Sequence, residues 1–206
     1  MTRVSPTGIS SETDASSRTD GRRERGERNK EAVVTALLAL YDGGEVEPSA
    51  ARIAELAGVS ERSVFRYFLD KDDLAATAMN VQTERVRHLY DGLSVDGGFD
   101  ERLDAILDHR LRLFDAVRGM VKASAVLEHR SEIIRRAVEQ RRSFLRAQAI
   151  DQFRPELSAL DDQQIAARAV DIALSLETLS SLSAQCSRAK TRSTVSFMIR
   201  AALSRH

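Results

Sequence analysis

Arg62 and Arg66 stand four residues apart in the run ERSVFRYF, so on a helix they share one face. Arginine is the commonest bidentate reader of guanine, because its planar fork of donors matches two acceptors on that base edge. Around the pair lie groups suited to phosphate oxygens: the hydroxyls of Ser60, Ser63 and Tyr67 and the ammonium of Lys71. Phosphate contacts set register, whereas base-edge contacts carry sequence preference. Glu61 faces the same way, where it either accepts from a cytosine amino group or repels phosphate. The chemistry in prospect is recognition of a duplex, not bond making.

Such residues act only if a short helix is held across a second one. The stretch SAARIAELAGVSERSVFRYF, residues 49–68, has that form. Two short helices crossing at a wide angle need a small residue at the contact, and Ala54 fits. The turn between them needs a residue that tolerates positive φ, and Gly58 fits. Ile53, Val59, Val64 and Phe68 plug the space between these helices and a preceding one. Ser49, after Pro48, reads as the N-cap of the first short helix, and Ser60 or its neighbour starts the second. This is a helix-turn-helix, whose second helix can enter a major groove.

The rest of the chain is expected to be helical, giving an all-α fold. No sustained period-2 alternation occurs, and the three prolines among 206 residues leave long stretches free of breakers. A first helix is expected over 29–41, with Ala32, Val33, Ala36, Leu37, Leu40 and Tyr41 on its apolar face. Asp70 caps a helix over 71–90. Longer amphipathic segments follow over 99–116, 118–128, 131–153 and 161–186, with a last one over 190–204. Residues 1–20 are rich in Ser, Thr, Asp and Gly and are expected to be disordered. The domains expected are therefore the tail 1–20, a helix-turn-helix domain 21–76 and a larger helical domain 77–206.

Composition narrows the function further. Net charge is zero, with 31 basic and 31 acidic side chains, which excludes a wholesale basic coat but leaves room for a local patch. The longest apolar run is about half a membrane span, and the N-terminus has no apolar core of the secretory kind, so a cytoplasmic protein without membrane attachment is expected. The lone Cys186 excludes an internal disulfide. No paired carboxylates with E-x-x-H and no nucleophile with a base occur, so no enzyme, metal site or cofactor is expected. His88, His109 and His129 lack metal-ligand spacing, and Glu84 with His88 reads as a surface pair.

Residues 28–76 resemble the DNA-binding domain of the TetR family of transcriptional regulators. The resemblance rests on RNKEAVVTALLALYDGG, then ARIAELAGVSERSVFRYF, then DKDDL. It implies that Ser49, Tyr67 and Lys71 contact phosphate. The family usually has Tyr where this chain has Phe65, so that contact is altered here. The resemblance also implies a helical domain that binds a small-molecule effector and forms a homodimer through its last two helices, here 161–186 and 190–204. Two recognition helices roughly 34 Å apart would then read a palindromic operator in double-stranded DNA. Repression, relieved by the effector, is likewise what the resemblance implies.

The apolar arc of Ile165, Ala166, Ala169, Val170, Ile172, Ala173, Leu176, Leu179 and Leu182 is broader than one buried stripe requires, which agrees with pairing. Phe99, Phe114, Met120, Phe144, Phe153, Leu174 and Met198 are either core or the lining of an effector cavity. Glu177, inside an apolar segment, is a partner for a cation or an exposed group. The arm Arg22, Arg23, Arg25 and Arg28 either enters a minor groove or is a solvated tail. The competing reading is a helical small-molecule or protein-binding module whose DNA-binding domain is idle.

Overall fold

The computed structural model describes residues 12–91 and 93–204. The element order is α1 Glu12–Asp42, α2 Ala50–Ala57, α3 Glu61–Tyr67, α4 Lys71–Arg85, a 3-10 turn Arg87–Leu89, α5 Phe99–Leu127, α6 Glu132–Gln152, α7 Arg154–Ser158, α8 Gln163–Leu174, α9 Leu176–Ser183 and α10 Arg188–Leu203. No strand occurs among the described residues. None of their helices is long and apolar enough to cross a membrane.

The N-terminal elements follow from local chemistry. Ser49 caps α2 by accepting from the Arg52 N–H, and Ser60 caps α3 by accepting from the Ser63 N–H. Gly58 ends α2 at φ 67°, a left-handed conformation that a Cβ disfavours. Asp70 caps α4 through the Asp73 N–H, and Asp73 reaches back to the Leu69 N–H at 3.0 Å. These caps satisfy donors that helix ends otherwise leave orphaned. Val33, Leu37, Leu40 and Tyr41 of α1, Ile53 and Ala54 of α2, Val64 and Phe68 beside α3, and Leu74 and Ala78 of α4 are all buried, with Val59 packed against them.

Helix α1 begins at Glu12, well before residue 29, so residues 12–20 of the expected tail are helical backbone and residues 1–11 lie outside the described ones. Val34 and Leu38 are buried as well, because α1 is packed on α5 as well as on the helix-turn-helix. The crossing is close. A Cβ on Gly119 of α5 would stand 2.5 Å from the Tyr41 carbonyl carbon and 2.6 Å from the Asp42 nitrogen. The segments expected as 99–116 and 118–128 are thus one continuous helix, in which glycine serves contact and not interruption.

Three other expectations are corrected. Helix α4 stops at Arg85 and gives way to the 3-10 turn. The change of helical pitch takes His88 off the i, i+4 row, and Glu84 pairs with Arg87 at 2.5 Å instead. The segment 161–186 breaks at Ser175, which is extended (φ −66°, ψ 147°) and caps α9 through the Thr178 N–H. Between α6 and α8 lies the short helix α7, with Pro155 in its first turn.

One hydrophobic core runs from α1 through α10. Helix α4 crosses the expected boundary at residue 76 and is tied on both sides. Arg85 donates to Thr35 of α1 at 3.1 Å, and Gln82 donates to the Ala116 carbonyl of α5 at 2.8 Å. At the far end, buried Arg102 of α5 bonds the Gln152 carbonyl and pairs with Glu156, which joins α5 to α6 and α7.

Candidate nucleic-acid interface

Helix α3 is amphipathic in the sense the recognition role requires. Val64 and, at its end, Phe68 are 3% exposed and anchor it to the core. Glu61, Arg62, Phe65 and Arg66 are exposed on the opposite side. Ser60 and Ser63 stand at its start, their hydroxyl oxygens 2.9 Å apart. Ser49 lies at the start of α2 and Lys71, exposed, at the start of α4. Thus two helix starts and one helix face present all eight sequence-predicted residues around α3. Each hydroxyl of Ser49 and Ser60 accepts a backbone N–H, so what it has left to offer a phosphate is its own proton.

Arg62 and Arg66 differ in their surroundings. Arg66 folds back over the Tyr67 ring, its guanidinium carbon 4.9 Å from the centroid, and donates to the Tyr67 hydroxyl at 2.8 Å. The same hydroxyl accepts from Asn29 of α1 at 3.4 Å. The Asn29 bond first, and Arg66 beside it, hold the phenol below its ordinary pKa. A phenol oxygen that accepts twice has its proton free to point outward, toward an acceptor such as a phosphate oxygen. Arg62 has no ion pair among the described residues and sits in the first turn of α3, the part of a recognition helix that faces base edges. Glu61 shares that turn, where a carboxylate is favoured by the helix dipole.

Two features of this face go beyond the sequence argument. Phe65 is 51% exposed on α3, an apolar ring suited to a thymine methyl group. Asn29 positions Tyr67 across the α1–α3 contact, a link that no local pattern reveals. Of the basic arm, Arg23 and Arg28 are exposed on α1, while the Arg22 side chain lies outside the described residues.

The residues suspected of lining an effector cavity divide. Phe114, Phe153 and Leu174 are buried core, and Phe99 packs on Phe153 at 5.9 Å. Met120 and Phe144 do line a cavity, between α4, α5 and α6. Glu177 is neither exposed nor free: it accepts from Arg141 at 3.3 Å and from Arg142 at 3.2 Å. Cys186 is half-buried, its thiol 3.2 Å from the Leu182 carbonyl.

No family model and no curated protein matches the sequence. Solved structures do match in shape. A TetR-family transcriptional regulator from Streptomyces coelicolor superposes with a TM-score of 0.66 at 19% identity, covering 85% of this chain and 80% of that one. A proposed transcriptional regulator from Pseudomonas aeruginosa PAO1 gives 0.62 at 21% identity, over 88% of this chain and 91% of that one. A transcriptional regulator from Rhodococcus sp. Rha1 gives 0.58 at 21% identity, over 86% and 95%. Cover of 85–88% of the chain means that the likeness extends beyond the helix-turn-helix, and the chain has the all-helical fold seen in TetR-family transcriptional regulators.

Proposed function

We propose that this chain is a DNA-binding transcriptional regulator that reads a palindromic operator as a homodimer and is released by a small molecule, acting as a repressor. The observation that carries the reading is the outward face of α3. Its apolar residues are sunk in the core while Arg62, Phe65 and Arg66 stand clear, with Lys71 and the two serine-capped helix starts beside them. A packing motif has no need of that division.

Two features support the remainder. Ile165 and Ile172 of α8 are 67% and 61% exposed and Phe197 of α10 is 72% exposed. Large apolar groups left out on the last helices suit a two-fold pairing of those helices. Helix α4 also carries both ends of a coupling. Lys71 is its first residue, and Met79, Asn80 and Thr83 wall the cavity between α4, α5 and α6. A ligand that binds better when α4 is displaced would draw the protein into the form unfit for DNA.

Fluorescence anisotropy on random-sequence duplex at low salt tests the DNA reading. Binding that weakens with rising salt, and that weakens further in an Arg62→Ala, Lys71→Ala double variant, is expected. Equal binding by the wild type and the double variant would exclude the surface formed by α3 and the start of α4 as the one that meets DNA.

A further inference from the structure

The cavity between α4, α5 and α6 has a volume of about 520 Å³, within the range of small-molecule sites. Met79, Met120, Ala137 and Phe144 give part of its wall an apolar surface for an apolar body, beside the polar Asn80, Thr83 and Gln140. Tyr90 and Arg141 reach it as well, and the Tyr90 ring meets Phe144 edge-on at 5.7 Å.

The polar end of this cavity has more donors than acceptors. The Arg141 side chain is 8% exposed. One of its terminal nitrogens bonds Glu177, while Nε and Nη1 have no hydrogen-bond partner among the described residues. The Tyr90 hydroxyl, also buried, has none either. Arg110 lies behind, 1% exposed, held by Gln148 Oε1 at 2.9 Å and the Leu145 carbonyl at 2.7 Å, with its Nε unpartnered and no carboxylate in ion-pair distance among the described residues. Of these two buried guanidiniums only Arg141 touches a carboxylate, Glu177, which Arg142 also claims.

Burial of such charge without a counter-ion is costly. Desolvation pushes Arg110 down to about 10 and lowers Arg141, and burial of the Tyr90 phenol raises it in spite of the two guanidiniums nearby. An anion delivered to this spot would meet the unpartnered donors of Arg141 and Tyr90, and a cation would meet repulsion. The acidic groups of the cavity do not cancel this preference. Glu84 is held by Arg87, and Asp91 is exposed.

We propose that this cavity binds an organic anion, a carboxylate on an apolar body, with the carboxylate on Arg141 and the Tyr90 hydroxyl and the body against Met79, Met120 and Phe144. The ligand's role as an effector rests on the regulator reading above; its binding does not.

Calorimetric titration of the full chain with three matched probes tests the site: 4-phenylbutyrate, 4-phenylbutanol and 4-phenylbutylamine. The carboxylate is expected to bind at least tenfold more tightly than the alcohol, and the amine most weakly. Arg141→Met keeps the bulk and removes the charge, so acid and alcohol should then bind alike. Tyr90→Phe deletes a hydroxyl that bonds nothing, so the fold survives, and the acid alone should weaken severalfold. Binding of the alcohol or amine as tight as the acid, or no heat from the acid at millimolar concentration, would overturn the proposal. The titration contains no DNA. Failure of the carboxylate to bind therefore leaves the DNA reading intact, and failure of DNA binding leaves the titration unaffected.

Discussion

At the scale of single residues, Arg62 and Lys71 should fail in different ways. Arg62 stands free in the first turn of α3, so Arg62→Ala should cost roughly 1–3 kcal/mol on the preferred sequence and little on random duplex. Equal losses on both would make Arg62 a phosphate contact. Lys71, at the start of α4, should act as a point charge. Lys71→Ala should weaken binding to every sequence and reduce the slope of log K against log salt by about one; an unchanged slope would remove it from the interface. A third residue speaks to stability. Burial, with Arg110 and Arg112 nearby, lowers the His109 pKa from 6.5 to about 4. The folded protein thus keeps His109 neutral where the unfolded chain takes up a proton. Its contribution is fully present above the unfolded value and is lost as pH falls from there toward the folded one. Urea unfolding should show this group costing about 2 kcal/mol between about pH 7 and pH 5. His109→Gln should remove that part of the pH dependence, and an undiminished slope would place the titration elsewhere.

Among the elements, the α1–α5 crossing is the most exacting contact. Gly119→Ala gains about 1 kcal/mol of helix propensity, yet the new Cβ would meet the backbone of Tyr41 and Asp42. Overpacking against backbone costs roughly 1–3 kcal/mol, so a net loss of thermal stability is expected, and an unchanged melting temperature would mean that the crossing is looser than it is drawn. This contact also shows what the sequence can and cannot convey. The helix-turn-helix was legible because its signals are local: Ser49 and Ser60 as caps, Gly58 at positive φ, and the spacing of Ile53, Val64 and Phe68. The break expected near residue 117 and the unbroken helix expected over 161–186 both failed for the opposite reason. Gly119 answers to a chain segment distant in sequence, and Ser175 turns the backbone inside an apolar run whose periodicity does not betray it. Arg110 and Arg141 read locally as surface charges on amphipathic helices, and only the packing of α5 on α6 buries them. The cavity that Arg141 lines was legible to the extent of Met120 and Phe144.

For the whole molecule, the proposed dimer rests on the exposed apolar groups of α8 and α10. Ile172→Glu places a charge on the surface proposed to be covered in the dimer. Sedimentation should report a shift toward monomer, with the helical signal retained, and an unchanged dimer would move the interface elsewhere. The same substitution should cost DNA affinity, since two recognition helices are needed to occupy two half-sites. On the proposed reading helix α4 carries the response, because it holds Lys71 at its start and lines the cavity at Met79 while bonded to both α1 and α5. The claim that joins these scales is that a dimer of this chain reads a symmetric sequence through α3. Selection of binding sites from randomised duplex DNA at near-physiological salt tests it most directly. The proposal predicts enrichment of one inverted repeat, with half-site centres about one helical turn or slightly more apart; recovery of no common sequence by folded, dimeric protein would contradict it.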